Sequence, residues 1–178
     1  GTTRDAIDTI FKQGDKNFLL VDTAGIKRKG RTSHVLDKFS VIMALKALDR
    51  CDIAVVLVDL SEGITDQDVT IAGYAYEKGR GCLFAVNKWD LAASLGATRD
   101  SVEEQIMRKC KFLDFAPVIF LSALSGYGVG KLLPEVELIY KEYAKNLSTR
   151  KLNDCIEKAI EKNPIPNFRG KFVKVQYT

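Results

Sequence analysis

Three short polar groups, each closing an apolar run, carry the chemistry that this sequence offers. In Phe18-Leu19-Leu20-Val21-Asp22-Thr23-Ala24-Gly25 four apolar residues end in an acid, with a glycine three positions further on. An acid at a strand tip can hold Mg²⁺ directly or through water, and a glycine lets a bare backbone N–H approach a terminal phosphate. Leu83-Phe84-Ala85-Val86-Asn87-Lys88-Trp89-Asp90 is a second apolar run with a polar tip. There the Asp90 carboxylate can accept two hydrogen bonds from one edge of guanine, the Lys88 stem can cover the ring, and Asn87 can tie the loop to its neighbours. Adenine has no such pair of donors on that edge. Val118-Ile119-Phe120-Leu121-Ser122-Ala123-Leu124 is the third, and its tip can give a backbone N–H to the base oxygen. Asp-x-x-Gly alone is common and equally describes a strand followed by a solvated turn. The three groups in this order, each after an apolar strand, form a far more specific signal.

The elements that must position these groups follow from periodicity. Phe18 to Val21 is apolar without alternation, which predicts a strand buried on both faces. Ala6 to Gln13 pairs with Asn17 to Val21 as a hairpin through Gly14-Asp15-Lys16. Asp37 to Arg50 has helical spacing, with Val41, Leu45 and Leu48 on one face, and Ile53 to Leu60 is the next buried strand. Thr65 is placed to cap a helix that buries Val69, Ala72, Gly73 and Tyr76 and ends at Gly79 or Gly81. Asp100 to Lys111 predicts a helix burying Val102, Ile106 and Cys110, and Val129 to Tyr143 predicts the last helix of this domain. Strands alternating with helices give an α/β fold, a mostly parallel sheet with helices on both faces, and ligands bind such sheets beyond the carboxyl ends of the strands.

Asn146 to Thr149 is a polar break and the expected domain boundary, giving domains over 1–146 and 147–178. Past it, Leu152, Cys155, Ile156, Ala159 and Ile160 mark an amphipathic helix stopped by Pro164, and Arg169 to Tyr177 alternates as a half-exposed strand should. One helix and one strand cannot bury a core, so this second unit reads as incomplete. Charge divides along the same line. Residues 1–140 hold 18 basic and 19 acidic side chains and residues 141–178 hold 9 and 4, so the whole +4 excess lies in the tail.

With 46% apolar residues in 178, the chain has enough for a core. It has no apolar run near the ~20 residues that span a bilayer and no secretory leader, so a cytoplasmic location is expected, with neither a membrane nor DNA as partner. Cys51, Cys82, Cys110 and Cys155 are widely spaced and accompanied by one histidine, His34, so reduced thiols are expected rather than a zinc site or disulfides. His34 lies among polar residues and reads as a solvated side chain. The run Lys27-Arg28-Lys29-Gly30-Arg31 could attract phosphate or RNA, though such runs commonly form solvated loops.

The motifs resemble those of translation-factor-like P-loop GTPases and, more closely, the EngA/Der family of bacterial GTPases, with two tandem G domains followed by a KH-like domain. The matching stretches are Gly1-Thr2-Thr3-Arg4-Asp5, Asp22 to Ile26 with its basic continuation, Lys38-Phe39-Ser40, Glu62 to Asp68, Asn87 to Asp90 and Ser122-Ala123-Leu124. The resemblance implies a P-loop NTPase-type fold over 1–146, as the second G domain, followed by the start of an α+β KH-like domain over 147–178. It implies GTP binding and hydrolysis in assembly of the large ribosomal subunit, with guanine nucleotide, rRNA and the protein's own first G domain as partners. By the same carry-over Thr3 or Thr2 and Asp22 serve Mg²⁺, Gly25 the γ-phosphate, and Asn87, Lys88 and Asp90 the base, supported by Ser122, Ala123 and Leu124. Ile26 stands where Ras-like enzymes have a water-positioning Gln, and a potassium ion is the family's substitute. The other function class is an RNA- or ribosome-binding module whose G domain is a non-hydrolysing scaffold.

Two departures from the family pattern stand out: Gly-x-x-x-x-Gly-Lys-Ser/Thr is absent, and the KH-like portion stops after its first strand. The resemblance places a central strand between those ending at Asp22 and near Asp59. It therefore leads to the expectation that such a strand and its phosphate loop precede Gly1, and that residues 1–178 alone bind GTP poorly or not at all.

Overall fold

The computed structural model describes residues 8–21 and 45–164. Its contacts cluster into two compact units, residues 1–143 and 144–178. In the first unit β1 (Asp8–Gln13) and β2 (Lys16–Val21) form an antiparallel hairpin with Gly14 and Asp15 at the turn and Phe11 opposite Phe18. Residues 45–50 are helical and bury Ala47 and Leu48. The expected start of that helix, from Asp37, lies outside the described residues.

A parallel sheet in the order β3 (Ile53–Asp59), β4 (Gly81–Asn87), β5 (Val118–Phe120) is the frame of this unit. Its strands are joined through α1 (Asp66–Glu77), and then through a short α2 (Ala92–Leu95) and α3 (Arg99–Lys109). Strand β4 is central and the most deeply buried, with Cys82 to Val86 all at 2% exposure or less. Successive side chains of a strand point to opposite faces. Cys82, Phe84 and Val86 share one core with Ala54, Val56 and Val58 of β3, Ala72 and Ala75 of α1, and Ile106 of α3. Leu83 and Ala85 are equally buried by alternation on the other face, where α4 (Leu132–Tyr143) packs against β4. Helices therefore cover both faces of a parallel sheet, as the alternation of elements predicts.

Local signals start and stop these helices. The Thr65 hydroxyl accepts from the Asp68 N–H while the Asp68 carboxylate accepts from the Thr65 N–H at 2.9 Å, a reciprocal cap at the expected residue. Thr98 and Ser101 make the same box for α3, which ends at Lys109, two residues before the sequence expectation, with Cys110 buried just beyond it. In the second unit α5 (Thr149–Lys162) is capped by Ser148 and ends two residues before Pro164. The alternating segment expected over Arg169–Tyr177 lies outside the described residues.

The expectation for β2 is corrected. A strand buried on both faces was predicted, but Leu19 and Leu20 are 56% and 47% exposed. The cause is pairing: among the described residues β2 is bonded only to β1, and β3 only to β4. Between the free edges lies a cleft of about 1240 Å³, bordered by Leu19 and Val21 of β2, Val55 and Leu57 of β3, and Leu133 and Val136 of α4.

Candidate functional site

Polar groups converge at the carboxyl ends of β3, β4 and β5. The registers place Asp59 beside Asn87 and Val86 beside Phe120, so the loops leaving the three strands start side by side. Asn87 ends β4, and its Oδ1 accepts from the Lys88 N–H at 2.8 Å and from the Ala123 N–H at 3.0 Å. The Leu121 N–H donates to the Val86 carbonyl at 2.9 Å, and the Trp89 N–H donates to the Leu121 carbonyl at 3.1 Å. Four hydrogen bonds thus hold the Asn-Lys-x-Asp turn and tie it to the Ser-Ala-Leu turn.

Ser122 explains why the second turn has its shape. The residue is wholly buried, and its N–H donates to the Tyr127 carbonyl at 2.8 Å. Its hydroxyl accepts from the Ser125 N–H at 3.2 Å and donates to the Asp90 carboxylate. A buried hydroxyl that both donates and accepts orients its partner firmly, because turning it away would leave a buried polar group unpaired. Asp90 is therefore held by one oxygen at the start of a 3₁₀ turn, Trp89–Leu91. Beneath the two turns the Trp89 ring packs on Phe120 at 4.3 Å and the Arg99 guanidinium lies over the Phe120 ring at 5.4 Å. Arg99 also donates to the Tyr127 hydroxyl at 2.8 Å.

Lys88 is the one described non-glycine residue with positive φ, at 63°. Such a conformation is costly and persists where surrounding bonds over-determine it, commonly at functional sites. Its ammonium meets the Asp59 carboxylate at 2.7 Å, and the other Asp59 oxygen accepts from the Ser61 N–H at 2.9 Å and hydroxyl at 2.6 Å. Partial burial opposes the Asp59 charge, yet the Lys88 and Ser61 donors outweigh it and hold this carboxyl below the usual carboxylate range.

Of the sequence-predicted residues, the structure gathers Asn87, Lys88, Asp90, Ser122 and Ala123 at one sheet edge, while Leu124 is 90% exposed at the outer tip of its turn. Thr2, Thr3, Asp22 and Gly25 lie outside the described residues, as do His34 and the basic run from Lys27. The expected tie from Asn87 to its neighbours is present. The Ala123 N–H is the donor on the far side of that tie. Sequence reasoning passed over Asp59, Phe120, Arg99 and Tyr127. Asp59 carried a legible signal, an acid closing an apolar strand in the manner of Asp22, whereas Arg99 and Tyr127 lie 28 residues apart and nothing local links them.

A parallel α/β sheet whose paired strand tips present Asn-Lys-x-Asp and Ser-Ala-Leu is the architecture of a P-loop GTPase. In line with this, Era in complex with MgGDPNP and nucleotides 1506-1542 of 16S ribosomal RNA superimposes with a TM-score of 0.59 at 22% identity, over 83% of this chain and 47% of that one. The FeoB G-domain from Methanococcus jannaschii gives 0.53 at 22% identity, over 75% and 79%. The chain belongs to the family of the elongation factor Tu GTP binding domain, whose profile matches residues 1–142. Its similarity to EngA/Der proteins is close: it is 44% identical over 177 residues to GTPase Der of Geotalea daltonii and 46% identical to that of Syntrophotalea carbinolica, in each case over 99% of this chain. It spans 40% of the length of each of these relatives. Among the described residues no helix is long and apolar enough to cross a membrane.

Proposed function

We propose that these strand tips form the guanine-reading half of a site that binds GTP and hydrolyses it to GDP and phosphate. The observation that carries the proposal is the Asp90 carboxylate, set at the mouth of the paired β4 and β5 loops by the wholly buried Ser122 hydroxyl. A carboxylate so oriented accepts both donors of one guanine edge, and the stitched loops supply Lys88 for the ring face and the Ala123 N–H for the base oxygen. That N–H exchanges its Asn87 partner for the base, so the turn is satisfied with or without a ligand. The chemistry of this donor and acceptor set fits guanine.

Phosphate and metal roles go to residues outside the described ones: Thr3 or Thr2 and Asp22 for Mg²⁺, and Gly25 for the γ-phosphate. Phosphoryl transfer to water asks the protein for positioning and charge rather than covalent chemistry, and bound Mg²⁺ supplies the charge there. A monovalent cation such as potassium would supply the charge and orientation for which Ile26 has no polar group. The wider role is assembly of the large ribosomal subunit in the cytoplasm, with residues 1–146 acting as a second G domain beside a first one and residues 147–178 opening a KH-like domain that meets rRNA. Support for this wider role comes from the similarity to GTPase Der and from the basic tail.

Asp90→Asn is the test. The amide cannot accept both guanine donors but can donate to the extra carbonyl of xanthine, so preference moves from GTP towards XTP by roughly 1–3 kcal/mol, the cost of a buried unpaired group. Affinities for both nucleotides are measured by calorimetry on the full-length protein. Unchanged GTP binding would remove Asp90 from the site and with it the proposal.

A further inference from the structure

Asp59 belongs to neither loop of the site, yet it bridges two strand tips. Through Ser61 its carboxylate closes its own turn at the end of β3, and through the ammonium it grips Lys88 beyond the end of β4. The Leu60 N–H adds a backbone tie, donating to the Asn87 carbonyl at 3.1 Å. Lys88 needs such a hold more than most lysines. Its backbone is confined to the left-handed region while its side chain is a four-carbon stem with a mobile, strongly hydrated head. Left alone, that stem samples many rotamers, and few of them lie along a base ring.

We propose that Asp59 is a positioning residue for guanine-nucleotide binding, which fixes the Lys88 ammonium at the β3 tip so that the Lys88 stem lies in place to cover the base. The proposal rests on the guanine-reading role of Lys88 argued above. An ordinary surface ion pair would have the same two partners, but it would have no reason to sit on the one strained non-glycine residue of the reading loop, nor to share its acid with a turn that fixes it. With the Lys88 and Asp59 side chains 49% and 25% exposed, the pair adds little to global stability. That is what separates positioning from a structural role: removing the charge should leave the fold intact and weaken the ligand.

Asp59→Asn keeps the carbonyl oxygen that accepts from Ser61 and loses the grip on Lys88. Binding of GDP with Mg²⁺ to the full-length protein, followed by calorimetry, is expected to weaken roughly tenfold, the scale of the lysine rotamer freedom regained, with the melting temperature unchanged. Asp59→Glu should recover part of the affinity. In a double-mutant cycle, Asp59→Asn placed on Lys88→Ala should cost little more than Lys88→Ala alone. Wild-type affinity in Asp59→Asn beside a weakened Lys88→Ala overturns the positioning role, as does full additivity in the cycle. A melting temperature that falls in step with affinity in both the Asn and Glu variants makes Asp59 structural and overturns it too. Unchanged affinity in Lys88→Ala removes the guanine-reading role beneath it, so the two failures are distinguishable.

Discussion

Gly128 should be the least replaceable small residue near the site, and the structure says by how much. It has φ +71°, and a Cβ built on it would stand 2.3 Å from the Phe120 carbonyl oxygen and 3.2 Å from the Leu121 Cα. Both obstacles are backbone, so no side-chain rotation relieves them. Gly126, two residues earlier, has φ +79° and nothing within 4 Å of the same position. Gly126→Ala therefore pays only the left-handed conformation, about 1–2 kcal/mol, whereas Gly128→Ala adds about 1–3 kcal/mol for forcing atoms into packed space. At roughly 3 °C per kcal/mol for a domain of this size, the melting temperature should drop by roughly 3–6 °C for Gly126→Ala and 6–15 °C for Gly128→Ala. The single tryptophan, Trp89, packed on Phe120, reports the transition by its fluorescence. Shifting Phe120 and Leu121 also moves Ser122 away from Asp90, so guanine-nucleotide affinity should fall in Gly128→Ala and hold in Gly126→Ala. Equal melting temperatures for the two variants would refute the close-approach argument.

Hydrolysis compared in potassium and sodium at equal ionic strength should be faster in potassium, and equal rates would count against a monovalent cation standing in for the side chain that Ile26 lacks. Burial pushes the Cys82 thiol up from 9.0 to about 11 and raises Cys51 and Cys110 in the same direction. The unfolded chain then releases these protons first, so stability is intact below pH 9 and declines as pH rises from 9 towards 11. The urea midpoint should fall between about pH 8 and about pH 10, and fall less in Cys82→Ala; a midpoint indifferent to pH would sink this account. If the tail meets rRNA as proposed, reversing Arg169, Lys171 and Lys174 to Glu should loosen binding to the large ribosomal subunit and flatten its salt dependence, while GTP affinity is retained. Survival of subunit binding would move the contact surface elsewhere.

The sequence determined what a few neighbouring residues can enforce among themselves. Thr65 and Asp68 are three positions apart and close the start of α1 as their spacing says, and the apolar runs of β3, β4 and β5 form the expected strands because their hydrophobicity and period are local properties. The Asn-Lys-x-Asp and Ser-Ala-Leu groups announced a shared site because each closes such a run, and parallel strands bring their tips to one edge.

What the tertiary structure decided was partnership. Phe18 to Val21 reads the same whether a neighbouring strand covers it or not, and only the strand order shows Leu19 and Leu20 facing an open cleft. The register of β3 against β4 sets Asp59 beside Asn87 and hence within reach of Lys88, and a slip of one residue would turn every side chain of the strand to the other face. Likewise the Ala123 N–H donates to Asn87, and Arg99 is held between Phe120 and Tyr127. Distances along the chain are silent about such pairs, because hydrogen bonds and ring contacts form over a few ångströms between segments that only folding brings together.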